Sequence, residues 1–573
     1  MLEELRGRAG THSVAAGHAA LVCVGLGRLE EALSWLETAC DGRSDQMPYL
    51  DVEPLFDPLR GQPRFEALRR RVGLVPPAEI VRRGSSPPME VLAPPVVRRA
   101  VAVLPFRDLA GGPGSGHLGL GLADATITEL AGVDALLVRP TAAILRFEGV
   151  TSSPADVARE LGVDAVVDAS FQRAGDRLRV TVQLVGADGR TLWAAKMDTS
   201  MGDVFGMQDE VSRSIARALE VRLTADDERR RGLRSPAPTG PAYEQYLKGK
   251  AHFLRETLEE YVAAAACFEK ASELAPGFAE AWAGLAEAYA RISFNFQPDG
   301  DLYGRARSAC DRALALSPGL PEGRYVRAYL RWCPQGAWDH AAALRDLTAA
   351  IAGRPSLEDA HLRLGVVLYH VGLVDEARGP IEQALSISPD SMLARYQVGF
   401  RRYHQGDYEG ALAATEQAAA AESSFWLHYQ AALCLLRLGR HEEARENLRL
   451  LTKETPGAPL GFAVRGLISA LRGDAASARE QVRLTAANGT AFGHYHHAQY
   501  EVACIHALLG EHAEATRTLS DAAANGYPCL PLFRDDPLLA GLRGNDAYRR
   551  LLSRLEREQA GYAQAYQDAA RGG

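Results

Sequence analysis

The stretch HLRLGVVLYHVGLVDEARGPIEQALSISPD, residues 361–390, decides the fold. Within it stand Gly365, Gly372, Ala377 and Ala384. The same pattern returns 34 positions later as Gly399, Gly406, Ala411 and Ala418. It returns again as Ala432, Gly439, Ala444 and Leu451, and then as Gly466, Gly473, Ala478 and Thr485. A step this close to 34 marks stacked helix–turn–helix units. Each unit buries only one face alone, so neighbours complete the core. The small residues at Gly365, Gly399, Ala377 and Ala411 fit sites where two helices cross closely. Gly372, Gly406, Gly439 and Gly473 fit the end of a first helix, where a left-handed backbone suits glycine. Pro276, Pro318, Pro355, Pro389 and Pro456 close successive units.

Outward from the array, a second regularity appears. Residues 20–68 lie on residues 503–551 at a constant offset of 483 without gaps. Ala20 falls on Ala503, Gly27 on Gly510, Leu36 on Leu519, Pro54-Leu55 on Pro537-Leu538, and Phe65 on Tyr548. The second copy ends a helical array, so residues 1–73 read as the remnant of an upstream array. Either a module was duplicated, or the natural start lies upstream of Met1.

Residues 74–98 read as a linker, because Pro76-Pro77, Pro87-Pro88 and Pro94-Pro95 remove backbone donors. The pattern then changes. Residues 100–106 read as a buried strand, Gly119 to Leu130 as a helix, and Leu136 to Val138 as a second strand. Ser153-Pro154 opens a helix that stops at Gly162. Val163 to Gln172 is a third strand. Arg177 to Leu184 alternates apolar and polar, then turns at Asp188-Gly189 into a partner strand over 191–197. Asp203 to Leu223 is an amphipathic helix. The segment 99–223 is thus an α/β domain, 224–241 a second linker, and 242–560 an array of about eight units.

Segment 101–223 resembles the TolB amino-terminal-like domain of bacterial multidomain regulators. The resemblance rests on Val101-Ala102-Val103-Leu104-Pro105-Phe106, Gly121-Leu122-Ala123-Asp124, Ala158 to Asp164, Gly175 to Val180, Leu192-Trp193 and Val204 to Glu210. The array resembles tetratricopeptide repeats. Together they imply an α+β multidomain chain in which a TolB-like α/β domain precedes a right-handed α-solenoid. In such regulators the pair commonly follows a winged-helix domain, a protein kinase or a nucleotide cyclase. Here the first 70 residues resemble an array end instead, so an effector fused within this chain is not expected.

Composition narrows the function. Of 573 residues, 47% are apolar and the net charge is −8, with no long basic run, so nucleic acid is not an expected partner. Arg229-Arg230-Arg231 follows three acids and reads as a solvated helix end. The eight cysteines contain no Cys-x-x-Cys, and their spread suits buried thiols in a reducing compartment. No run approaches a membrane span, and MLEELRGRAG lacks an apolar signal core. A cytoplasmic protein away from membranes is the expectation.

The stripe at i, i+4, i+7 of successive first helices is expected to line the concave face. It reads Tyr325, Tyr329 and Trp332; then Leu362, Val366 and Tyr369; then Tyr396, Phe400 and Tyr403; then Tyr429, Leu433 and Leu436. His370 and His404 flank it. Such an aromatic groove suits an extended peptide or a helix; packing between helices is the competing account.

Gly114-x-Gly116-x-x-Gly119 has dinucleotide spacing. It stands too far from the strand's end, and Arg139 replaces the expected acid. A flexible loop fits better. His494, His496, His497, Cys504 and His506 invite a zinc reading but lack paired spacing, and partly exposed histidines fit better. No catalytic constellation stands out. The expectation is a non-catalytic scaffold or sensor with no cofactor and no metal, binding a protein or peptide. The alternative is the regulatory C-terminal portion of a kinase, cyclase or transcriptional regulator.

Overall fold

Gly372, Gly406, Gly439 and Gly473 all have positive φ, between 74° and 85°, and so does Gly510 at 74°. In this computed structural model each ends one helix of a pair, and the 34-residue step is therefore a step in backbone conformation. Asp407 and Asp474, each following such a glycine, accept a hydrogen bond from the second helix's first turn, at Gly410 N and Ser477 N. Glycine stops one helix and aspartate caps the next.

The structure describes residues 13–26, 28–41, 56, 59, 62–71, 98–110, 116–149, 152–175, 177–200, 204–219, 221, 224–231, 238, 240–296, 300–420, 424–489 and 494–572. Most of the linker read over 74–98, the loop with Gly114, the first twelve residues and most of 232–239 lie outside them. So do the side chains of Arg229, Arg230 and Arg231. The chain divides into two compact units, Met1–Val96 and Val97–Gly573.

In the first unit, α1 (Ser13–Gly25), α2 (Leu29–Asp41) and α3 (Pro63–Arg71) enclose a small core with Ala20, Cys23, Leu36 and Phe65. Arg64 bridges from α3 to Glu30 and Glu37 on α2, both at 2.8 Å.

The second unit opens with a sheet. Its strands are β1 (Arg99–Val103), β2 (Arg107–Asp108), β3 (Leu136–Val138), β4 (Ala165–Ala174), β5 (Arg177–Gly186) and β6 (Thr191–Ser200). Their order is β3-β1-β4-β5-β6, with β2 pairing β4. The pairs β1–β3, β1–β4 and β2–β4 are parallel, whereas β4–β5 and β5–β6 are antiparallel. The first strand ends at Val103 rather than Phe106. The chain must break there, because the Phe106 N–H donates to Gly119 O on α4 (Gly116–Leu130). A Cβ at Gly119 would stand 2.1 Å from the Phe106 carbonyl oxygen. Gly119 thus serves close packing of helix on strand.

After β3 come the short α5 (Thr141–Ile144), then α6 (Pro154–Leu161) between the Ser153 cap and Gly162, which has positive φ. After β6 come α7 (Val204–Ala218) and α8 (Ala225–Arg231).

The array follows as helix pairs: α9 (Gly240–Phe253) with α10 (Leu258–Leu274), α11 (Ala279–Asn295) with α12 (Gly300–Leu316), and α13 (Pro321–Arg331) with α14 (His340–Gly353). Next come α15 (Glu358–His370) with α16 (Arg378–Ile387), α17 (Met392–His404) with α18 (Tyr408–Ala419), and α19 (Phe425–Arg437) with α20 (His441–Glu454). Then α21 (Pro459–Leu471) pairs with α22 (Ala475–Ala487), and α23 (Tyr495–Leu508) with α24 (His512–Ala524). The chain closes with α25 (Leu530–Asp535), a 3-10 turn over Pro537–Leu542, and the long α26 (Asp546–Gly572).

The offset of 483 is structural too. Adding it carries Leu29–Asp41 onto His512–Ala524, and Pro63 onto Asp546, the first residue of α26. The buried pairs Ala20/Ala503, Leu36/Leu519 and Phe65/Tyr548 follow the same step.

Sheet and array share one core. Tyr243, Leu247 and Phe278 of the array belong to the same apolar cluster as Val101, Val166 and Val182. The crossing of α4 with α9 is close: a Cβ at Gly121 would lie 2.6 Å from Leu247 Cβ. Arg139, just after β3, donates to Leu161 O and Gly162 O at the end of α6. It also donates to Ser386 O and Ile387 O at the end of α16. One guanidinium satisfies carbonyls that two helix C-termini leave unpaired. All eight cysteines are free. No described helix is long and apolar enough to cross a membrane.

Candidate functional site

The array curls until its last pair meets its middle. Repeat arrays usually touch only nearest neighbours. Here Tyr403 on α17 donates to Glu501 on α23, Tyr527 donates to His404 Nε2 across 123 residues, and Gln559 on α26 donates to Gly372 O across 187. Trp338 packs edge-to-face on His496, and α26 lies against α14.

This closure corrects the expectation of an open concave groove. All twelve residues expected to form it are buried: Tyr325, Tyr329, Trp332, Leu362, Val366, Tyr369, His370, Tyr396, Phe400, Tyr403, His404 and Tyr429. The reason is energetic. A row of aromatic rings left in water forfeits on the order of 2 kcal/mol per side chain, and the chain's own α23, α25 and α26 region covers it.

What remains is a cavity of about 440 Å³. Eight of the twelve line it: Tyr325, Tyr329, Leu362, Val366, Tyr369, His370, Tyr396 and Phe400. Trp332 instead donates to His340 Nδ1 at 3.0 Å, and Tyr403, His404 and Tyr429 are committed to the core. Arg291, Phe294, Asp359, Arg363, Leu393, Gln397, Trp426, His494 and His497 complete the lining. Arg291 stands 34 residues before Tyr325 and bonds its hydroxyl at 3.1 Å, so stepping the stripe back by one unit finds it. Arg363 adjoins Leu362 and stacks on Tyr329, its guanidinium carbon 4.5 Å from the ring centre. Cation–π stacking fixes that group, and no ion pair holds it among the described residues. Phe294, Trp426 and His494 carried no such periodic signal.

Two polar clusters adjoin this lining, the second forming part of it. In the first, Arg437 bonds Asp536 at 3.0 Å and Glu501 at 2.9 Å, with essentially no exposure on any of the three side chains. Tyr500 donates to Asp536 at 2.7 Å, and Asp536 also accepts from Leu538 N. Burial opposes the Arg437 charge, but Asp536 and Glu501 outweigh it and hold the proton firmly.

The second cluster is histidine-rich. Partial exposure is expected for His494, His496 and His497, and it is corrected for two of them: His496 is 1% exposed and His497 5%, whereas His494 is half-buried as expected, and all three are packed against aromatic rings. They start α23, which the curl brings against α15 and α17. Burial drives the protons off. His494 falls to about 4 and His404 to about 3. His370, His496 and His497 fall well below the usual imidazole range, through burial first and then mutual repulsion. Cys504 is buried in the Arg437 cluster's neighbourhood, and His506 pairs with Glu511 at 2.6 Å, so neither joins the other histidines.

Two segments, residues 337–391 and 402–468, match the tetratricopeptide repeat family. The array carries tetratricopeptide repeats. A curated relative named Putative adenylate cyclase 3, from Rhizobium meliloti (strain 1021), is 32% identical over 258 residues. The match covers 44% of this chain and 44% of that protein, so the chain spans less than half the relative's length. Among solved structures, a tetratricopeptide repeat protein from Parabacteroides merdae ATCC 43184 is 15% identical. It covers 44% of this chain and 93% of its own, with a TM-score of 0.34. A thermophilic repeat protein from Thermus thermophilus is 22% identical over 34% of this chain and 99% of its own, with a TM-score of 0.28.

Proposed function

We propose that this chain is a non-catalytic interaction and sensing module of a bacterial signalling assembly, with a TolB-like α/β domain docked on its repeat array. The repeats support a protein-binding role. The observation that carries the reading furthest is the cavity of about 440 Å³ walled by the aromatic stripe. Its size suits one large side chain or chain end of a partner, not an extended segment. Arg363, free of any carboxylate among the described residues, favours an acidic or aromatic group.

The test places a photo-crosslinking amino acid at Leu393, which lines the cavity and is 45% exposed, and at Leu109, which is exposed on the α/β domain. The expected result is a partner peptide captured from Leu393 and not from Leu109. That capture should be lost when Val366→Trp fills the cavity in a protein that remains folded. Equal capture from both positions would sink the cavity reading.

A second reading has its own support. The relative called a putative adenylate cyclase favours a role as the regulatory portion of a nucleotide cyclase, over a kinase or transcriptional regulator. Reading the coding sequence before Met1 and in the neighbouring gene for a cyclase domain tests it. Co-expression of such a domain with this chain should change cyclic nucleotide output, and unchanged output would exclude it.

A further inference from the structure

His370, His496 and His497 are brought together from α15 and α23, more than 120 residues apart in sequence. Each offers one ring nitrogen, and the three nitrogens lie within 4.8 Å of one another. The hydrogen bonds fix two of the tautomers. His370 Nδ1 meets Val366 O at 2.7 Å, and His496 Nδ1 meets Asn525 O at 2.9 Å. A carbonyl only accepts, so both Nδ1 atoms carry the proton and both Nε2 atoms present a lone pair. Those two Nε2 atoms are buried without a hydrogen-bond partner. The His497 ring makes no hydrogen bond among the described residues and lines the cavity. Converging buried lone pairs repel and are costly to desolvate, so an arrangement of this kind calls for something that accepts them.

We propose that His370, His496 and His497 form a three-histidine site for a divalent transition-metal ion of the zinc class, with its fourth position open to the cavity. Three neutral imidazoles are a common zinc set, and three protein ligands with one position open is the arrangement that admits an exogenous ligand. The Nδ1–H bonds to backbone carbonyls are the outer contacts that orient metal-binding histidines. Zinc–nitrogen bonds of about 2.0–2.1 Å in tetrahedral geometry need ligand nitrogens roughly 3.3 Å apart, within reach of small ring rotations from the observed spacing. Burial keeps the three rings neutral, as ligation requires. The ion would stand near the electropositive start of α23 with no carboxylate ligand. Its open position therefore favours an anion, and a carboxylate entering past Arg363 fits that demand. The metal site stands whether or not a protein partner uses the cavity.

The experiment titrates metal-free full-length protein with Co²⁺ and Zn²⁺. One cobalt ion per chain with intense visible bands of tetrahedral type is expected, displaced by zinc, together with a zinc-dependent rise in melting temperature. His497→Ala should weaken binding at least tenfold, while His441→Ala on α20 should leave it unchanged. X-ray absorption of the wild-type zinc complex should count three imidazoles, and this reading needs no variant to fold. Absence of a stoichiometric cobalt spectrum in folded wild type overturns the site. So does a ligand count of one or none, or a spectrum unchanged in folded His497→Ala.

Discussion

Arg437 and Asp536, 99 residues apart in sequence, meet at 3.0 Å with neither side chain exposed to solvent. The pair fastens α19 to the turn before the 3-10 segment, and so fastens the array's end to its middle. Removing one partner strands a buried charge. Asp536→Ala should therefore destabilise the array by about 3–5 kcal/mol. Glu442→Ala breaks ion pairs to Arg445 and Arg472, but Glu442 is 77% exposed, and the cost should stay within about 0.5 kcal/mol. Urea denaturation of both variants checks the contrast.

Acid should loosen the protein in a defined window. His340, His361 and His494 are pushed down to about 4 and His404 to about 3, in each case by burial first. Arg363 adds to the shift at His494, and Arg437 at His404. The fold keeps these rings neutral, while the unfolded chain binds protons near the ordinary imidazole value of 6.5. Stability is thus fully present above that value and falls as the pH drops toward about 4. Each ring adds a slope of up to about 1.4 kcal/mol per pH unit. Unfolding midpoints measured across this window should fall steeply, and His404→Gln should make the fall shallower.

The Arg139 clamp predicts a local effect. Arg139→Ala leaves the carbonyls of Ser386 and Ile387 without their donor and should cost about 2–3 kcal/mol. Hydrogen exchange should quicken in the last turns of α6 and α16 while α20 and α22 keep their protection. Arg139→Lys should recover little, because one ammonium cannot span two helix ends.

Two glycines of the same repeat should respond with opposite signs. A Cβ at Gly365 would sit 2.5 Å from Ile381 Cγ1, so Gly365→Ala overpacks the crossing of α15 and α16 and should cost about 1–3 kcal/mol. A Cβ at Gly379 would meet nothing within 4 Å, and the backbone there is ordinary, so Gly379→Ala should stabilise by about 0.4–1 kcal/mol. Melting temperatures decide between these directions.

What could be read from sequence was local. The 34-residue step, the positive-φ glycines, the Ser153 cap and the Asp188-Gly189 hairpin each depend on residues a few positions apart. The stripe from Tyr325 to Phe400 was legible because it follows the helical period. Its covering was not, since nothing local in Tyr527 or Gln559 announces that these residues fold back onto His404 and Gly372. The histidines at 494, 496 and 497 stand close together in sequence, but without ligand spacing. His370, which joins His496 and His497 in the site, stands more than 120 residues upstream, where its spacing makes it a flank of the aromatic stripe. Long-range closure brings those residues together, and single-sequence periodicity carries no record of it.

The covering of the aromatic stripe by α23 to α26 also sets an order of events during synthesis. The ribosome delivers residues 325–436 first, and more than fifty residues must follow before Tyr495, and still more before Gln559. During that interval the rings of Tyr369, Tyr396 and Phe400 stand uncovered on a nascent chain that emerges at about 5–20 residues per second. Contacts so distant in sequence form late. The chain must therefore spend seconds as a sticky half-ring, and slowed translation or early termination within α23 to α26 would release a product prone to clump rather than merely one that lacks its end.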